Sequence, residues 1–114
     1  MKILIVDDNA TMREMIRSVL PEVFDEIREC EDGSEALDCY NSFLPDWVLM
    51  DWEMKLVNGL AAMRRIIVNF PDARVILVTQ HDDPELLAAA YEAGAKGVVL
   101  KDDLPTLRSL LSPA

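Results

Sequence analysis

Basic residues, cysteine and glycine are all scarce in this chain, and each shortage removes a class of function. Eleven Lys and Arg stand against 21 Asp and Glu, a formal charge of −10, which argues against a surface that holds DNA or RNA by its phosphates. Residues 7–38 carry most of that deficit, with eleven acids against Arg13, Arg17 and Arg28. Cys30 and Cys39 form no CxxC pair and have no second cluster, so they read as reduced thiols of a cytosolic protein. No apolar run approaches the ~20 residues of a bilayer crossing. The start, Met1-Lys2 with four aliphatics and then Asp7-Asp8, lacks the core and cleavage site of a signal peptide. No glycine-rich phosphate loop follows that first apolar run, and a nucleotide-binding reading fails there.

What the chain does have is hydrophobic residues, 51% of 114, enough for one core and too many for disorder. We expect a single domain over residues 1–114, with no linker, repeat or low-complexity segment. Short apolar runs alternate five times with amphipathic stretches. Ile3–Val6 runs into Asp7-Asp8, Trp47–Met50 into Asp51, Val75–Val78 into Thr79, and Val98–Leu100 into Lys101. A further segment around Glu26–Cys30 is broken by Arg28 and Glu29, as an edge strand would be. Unalternating runs mark strands buried on both faces, as in a parallel sheet covered by helices.

Between the runs the spacing is helical. Asn9 caps a first helix with Met12, Ile16, Val19 and Leu20 on one face, and Pro21 ends it. Asp32-Gly33 opens a second with Ala36, Leu37 and Tyr40 inward, and Asn58 caps a third with Leu60, Met63, Ile67 and Phe70 inward. A fourth runs from Pro84 to a left-handed stop at Gly94. The fifth is short, starting at Pro105 with Leu107, Leu110 and Leu111 inward. The order βαβαβαβαβα predicts a doubly wound α/β fold with right-handed crossovers.

Ligands of such sheets bind beyond the carboxyl ends of the strands. Those ends carry Asp7, Asp8, Asp51, Thr79 and Lys101. Three converging carboxylates call for a cation, and oxygen-only ligands suit a hard one such as Mg²⁺. Lys101 and the Thr79 hydroxyl can meet the oxygens of an arriving phosphoryl group.

With Asp7-Asp8, Asp51 followed by Met54 and Gly59, then Thr79, Ala93-Gly94-Ala95 and Lys101, all in order, the chain resembles the receiver domain of bacterial two-component response regulators over nearly its whole length. The resemblance implies a flavodoxin-like (βα)5 parallel five-stranded sheet of strand order 2-1-3-4-5. It implies Asp51 as phosphoacceptor, with Lys101 and Thr79 beside it. The implied Mg²⁺ ligands are Asp8 directly, Asp7 largely through water, Asp51, and the backbone carbonyl of Glu53. The implied partner is a sensor histidine kinase or phosphotransfer protein, with a homodimer through the fourth helix, fifth strand and fifth helix as a further association. No nucleic acid or membrane contact is expected of this domain, no output domain within these 114 residues, and a cytoplasmic location.

Several positions depart from the family pattern. Val98 stands where the family usually has an aromatic, so no ring can follow Thr79 when it moves. Asp102 replaces the usual proline after Lys101, and a trans bond is expected there. Lys55 replaces a proline, and Glu53 adds an acid where many members are neutral. His81 reads as a solvated loop residue at the position where the family tunes access of hydrolytic water. Trp47 reads as a packing residue, and Trp52 as a neighbour of the site. Two other functions compete. One is a pseudo-receiver that only binds protein; the other is an aspartate-nucleophile phosphatase, which needs a second Asp where Glu53 stands.

Overall fold

The computed structural model describes residues 1–111. The strands are β1 (Lys2–Val6), β2 (Glu26–Cys30), β3 (Trp47–Asp51), β4 (Val75–Thr79) and β5 (Gly97–Leu100). The helices are α1 (Ala10–Val19), α2 (Ala36–Phe43), α3 (Gly59–Asn69), α4 (Pro84–Glu92) and α5 (Leu107–Leu110), with 3-10 turns at Gly33–Glu35 and Leu104–Thr106. The five strands form one parallel sheet in the order β2-β1-β3-β4-β5.

The unalternating runs are explained by two cores, one on each face. Leu4, Val6, Val48, Met50, Val75 and Leu77 pack beneath α2 and α3. Ile3, Ile5, Leu49, Ile76, Val78 and Val99 pack beneath α1 and the chain around α5. Successive residues of one strand therefore feed opposite cores, which removes any polar position. Edge strand β2 keeps its charges for a reason: Glu29 takes Arg13 Nε at 2.6 Å and Arg17 Nε at 2.5 Å, tying β2 to α1.

The caps fall where the sequence puts them. Asn9 accepts from the Met12 N–H at 3.0 Å, and Asn58 from the Ala61 N–H at 2.9 Å. Pro84 occupies the first turn of α4, and Gly94 closes it with φ of 109°. All described peptide bonds are trans, Lys101–Asp102 among them.

Helix faces need refinement. Of the predicted inward residues around α3, Met63 is fully buried and Leu60, Ile67 and Phe70 are half-buried against the same core, while Gly59, Ala62 and Ile66 are the further fully buried ones. Leu110 was expected inward but is 37% exposed, because α5 is a single turn whose covered stripe is Leu107 and Leu111. The last segment also begins one residue early, as a 3-10 turn at Leu104.

Gly59 is required by close approach. A Cβ there would stand 2.8 Å from the Asp51 carbonyl carbon and from the Trp52 Cα, against backbone that cannot yield. Its N–H also donates to the Trp52 carbonyl at 2.9 Å, closing the β3–α3 loop directly under Asp51.

Leu44, the C-cap of α2, has φ of 50° and is 59% exposed, a left-handed conformation without packing to justify it. Leu44→Gly is expected to raise unfolding stability by about 1 kcal/mol, read as a higher urea midpoint at unchanged slope.

Candidate functional site

Strand register builds the site. Val6 pairs with Met50, Asp51 with Val78, and Thr79 with Leu100, so the residues that follow or end those pairings step along one edge of the sheet. Asp7, Asp8, Asp51, Thr79 and Lys101 all stand there, as the strand ends predict. Asp7, Asp51 and Thr79 are the buried polar residues, at 1%, 3% and 1% exposure, while Asp8 is exposed.

One carboxylate oxygen each from Asp7, Asp8 and Asp51 lies within 4.8 Å of the other two. The Lys101 ammonium sits 2.9 Å from Asp51 Oδ1. Backbone holds the acids in place. The Asn9 N–H donates to Asp7 Oδ1 at 2.8 Å, the Glu53 N–H to Asp51 Oδ1 at 3.2 Å, and the Lys55 N–H to Asp8 Oδ2 at 3.2 Å. Arg13 reaches from its Glu29 bridge to the Asp7 carbonyl at 2.5 Å, anchoring the loop from the other side.

Asp7 Oδ2 is buried and accepts no hydrogen bond from the described residues. An orphaned anionic oxygen beside two further carboxylates is what a hard cation satisfies, and the donors are all oxygens. The cluster therefore fits Mg²⁺. Without a cation, burial above all, with the Asp51 and Asp8 charges in support, pushes the Asp7 carboxyl up to about 6 against the hydrogen bond from Asn9. Burial raises Asp51 as well, and the hydrogen bond and charge of Lys101 only partly restrain it. For Lys101 burial acts to lower the pKa, but the hydrogen bond and charge of Asp51, joined by Glu53 and Asp7, outweigh it and leave it raised.

One arrangement was not anticipated. The sequence marks Glu53 for its carbonyl and its unusual charge, yet its side chain turns into the site. Thr79 Oγ1 donates to Glu53 Oε2 at 2.5 Å, the Gln80 N–H donates to Oε1 at 3.0 Å, and Lys101 Nζ lies 3.5 Å from Oε1. Thr79 Oγ1 in turn accepts from the His81 N–H at 3.1 Å, while the His81 side chain is exposed. The extra acid two residues after Asp51 was the available signal, but nothing in the chain says where it points.

The remaining candidates lie away from this chemistry. Trp47 is buried under the Arg74 guanidinium, 4.6 Å from the ring centroid. Trp52 is half-buried next to Asp51, and Val98 is half-buried against the core beneath α2 and α3. Cys30 donates to the Asp32 carbonyl at 3.2 Å, and burial pushes its thiol up to about 12, so it is no nucleophile.

Residues 3–112 match the model of the response regulator receiver domain. The chain belongs to this family. It is 36% identical over 104 residues to the transcriptional regulatory protein DegU of Brevibacillus brevis, covering 89% of this chain and 44% of that protein. It is 35% identical to the chemotaxis protein CheY of Halobacterium salinarum, covering 88% of this chain and 83% of that one. Among solved structures, a LuxR-family two-component response regulator from Aurantimonas superposes with a TM-score of 0.80 at 32% identity, over 92% of this chain and 76% of the other. The receiver domain thus spans about half the length of the transcriptional relatives it matches. Among the described residues no helix is long and apolar enough to cross a membrane.

The raised Asp7 pKa has a stability consequence. Between the ordinary 3.8 and about 6 the folded chain binds more protons than the unfolded one, so metal-free stability falls as pH rises through that window. Asp7→Asn is expected to reduce that slope, leaving the part due to Asp51, and to stabilise the metal-free protein at pH 7 by about 2 kcal/mol. Urea unfolding in chelator at pH 4, 5, 6 and 7 measures both.

Proposed function

We propose that this receiver domain accepts a phosphoryl group on Asp51 from a histidine kinase or phosphotransfer protein and signals through the loop after β4. The observation that carries the reading is the Lys101 ammonium 2.9 Å from Asp51 Oδ1, beside Asp7 and Asp8 at the end of β1. Asp51 is the one site acid on the central strand, with its second oxygen free to attack.

In the transfer, an Asp51 oxygen bonds phosphorus in line as the phosphorus–nitrogen bond to the donor histidine breaks and the nitrogen keeps the electron pair. Lys101 meets the phosphoryl oxygens as a point charge, and the Thr79 hydroxyl turns to donate to them. Asp8 would hold Mg²⁺ directly and Asp7 largely through water, with Asp51 and the Glu53 carbonyl as the remaining protein ligands; a cation held there would supply charge neutralisation for the converging carboxylates and the incoming oxygens. The same groups serve hydrolysis of the aspartyl phosphate, so the domain catalyses its own phosphorylation and dephosphorylation. A phosphatase that needs a free general acid two residues after Asp51 is disfavoured, because both Glu53 oxygens already accept hydrogen bonds.

Val98 leaves the signal a backbone route. A β-branched side chain has no ring to swing, whereas Gln80, His81, Asp82 and Asp83 are all exposed and can rearrange without uncovering core. We assign kinase recognition and response to the cytoplasm, pairing with a second copy to α4, β5 and α5, and no nucleic acid contact to this unit of formal charge −10.

With acetyl phosphate and Mg²⁺, intact mass should show one added phosphoryl group, lost in Asp51→Asn. Millimolar Mg²⁺ should change Trp52 fluorescence, and Asp8→Ala should abolish the change; a full mass shift in Asp51→Asn would refute the acceptor. In amide spectra, BeF₃⁻ should move residues 79–87 strongly and Val98 weakly.

A further inference from the structure

The Thr79 hydroxyl and the Lys101 ammonium, which the proposed transfer to Asp51 uses, already contact one acid, and the Gln80 N–H joins them there. The Thr79 hydroxyl, the Gln80 N–H and the Lys101 ammonium converge on the Glu53 carboxylate at 2.5, 3.0 and 3.5 Å, while the same ammonium contacts Asp51 at 2.9 Å. A carboxylate and a phosphoryl group offer such donors the same thing, anionic oxygens on a compact head. They cannot share them. One ammonium serves both Glu53 and Asp51, and a phosphoryl group arriving on Asp51 would add anionic charge beside Glu53 in a partly desolvated site.

We infer that the Glu53 side chain is an internal competitor of the phosphoryl group: it satisfies Thr79, Gln80 and Lys101 while Asp51 is unmodified, and must swing out to solvent when Asp51 is modified. The swing is feasible, since the Glu53 side chain is 24% exposed and its contacts with Thr79, Gln80 and Lys101 are polar. Glu53 thereby acts as a positioning residue. It pre-orders the switch, because Thr79 bonded to Glu53 also accepts from the His81 N–H and so holds the start of the loop. Phosphorylation is then an exchange of one anion for another, and its driving force is reduced by the bonds Glu53 gives up. The inference rests on the phosphoacceptor reading of Asp51.

The test uses Glu53→Gln, which keeps size and removes charge, and Glu53→Ala, which vacates the position; both leave the backbone carbonyl in place. Two quantities are read with Mg²⁺ present: BeF₃⁻ affinity by Trp52 fluorescence, and the rate of modification by acetyl phosphate by intact mass. In the latter an Asp51 oxygen bonds phosphorus, the phosphorus–oxygen bond to the acetyl group breaks, and acetate leaves with the electron pair. Both variants should bind BeF₃⁻ more tightly and react faster, by about tenfold. The Gln80 and His81 amides should shift in the unmodified variants, a readout independent of any adduct. Wild-type affinity and rate in either variant, or slower reaction, would overturn the competitor role while leaving Asp51 as acceptor. Absence of any adduct in the wild type and both variants would overturn the phosphoacceptor reading, and the inference with it.

Discussion

Mutual repulsion among carboxylates that cannot move apart governs this domain. Asp7, Asp8 and Asp51 bring an oxygen each within 4.8 Å of the others, and two of the three, Asp7 and Asp51, are buried there. Relaxation is blocked because the strands that carry them, β1 and β3, are buried on both faces through Ile3–Val6 and Trp47–Met50. A shift in register would drag those side chains out of two cores at once. Burial, with the neighbouring charges in support, raises the Asp7 pKa, and the orphaned Oδ2 and the tight Lys101–Asp51 pair belong to the same crowded edge. The chain offsets the strain with apolar burial elsewhere and keeps a site whose clustered negative charge fits a hard cation.

The second consequence is how charge at the site reaches the surface. Thr79 ends β4 at 1% exposure, but its hydroxyl donates to Glu53 and accepts from the His81 N–H of an exposed loop. The strand beneath is rigid and the loop above lacks apolar anchors. A change in what Thr79 donates to therefore has one soft direction in which to propagate, toward α4. Val98 on β5 is β-branched and has no ring to swing.

Much of the fold could be read along the chain because its signals are local. Buried strands appear as runs, caps as Asn9, Asn58 and Gly94, and the edge strand as charge within an apolar segment. Helix faces were read less well. Ile66 is fully buried where Ile67 is only half-buried, and Leu110 is left outside, because a hydrophobic stripe drifts around a helix and a one-turn helix covers little. The family pattern supplied the strand order, which no local signal encodes.

For the site, the amino-acid sequence by itself determined which groups stand at the carboxyl ends of the strands: Asp7 with Asp8 behind it, Asp51, Thr79 and Lys101, where each apolar run gives way to polar residues. That follows from the need to end a doubly buried strand where the side chains meet water. Only the tertiary structure decided what those groups do to one another. It is the pairing of β1, β3, β4 and β5 that leaves Asp7 Oδ2 without a donor, and the closure of the β3–α3 loop under Gly59 that turns Glu53 onto Thr79, Gln80 and Lys101. A long acidic side chain in a loop has several rotamers open to it. Which one prevails depends on donors brought from β4 and β5, 26 to 48 residues further along the chain, and such contacts leave no periodicity to read.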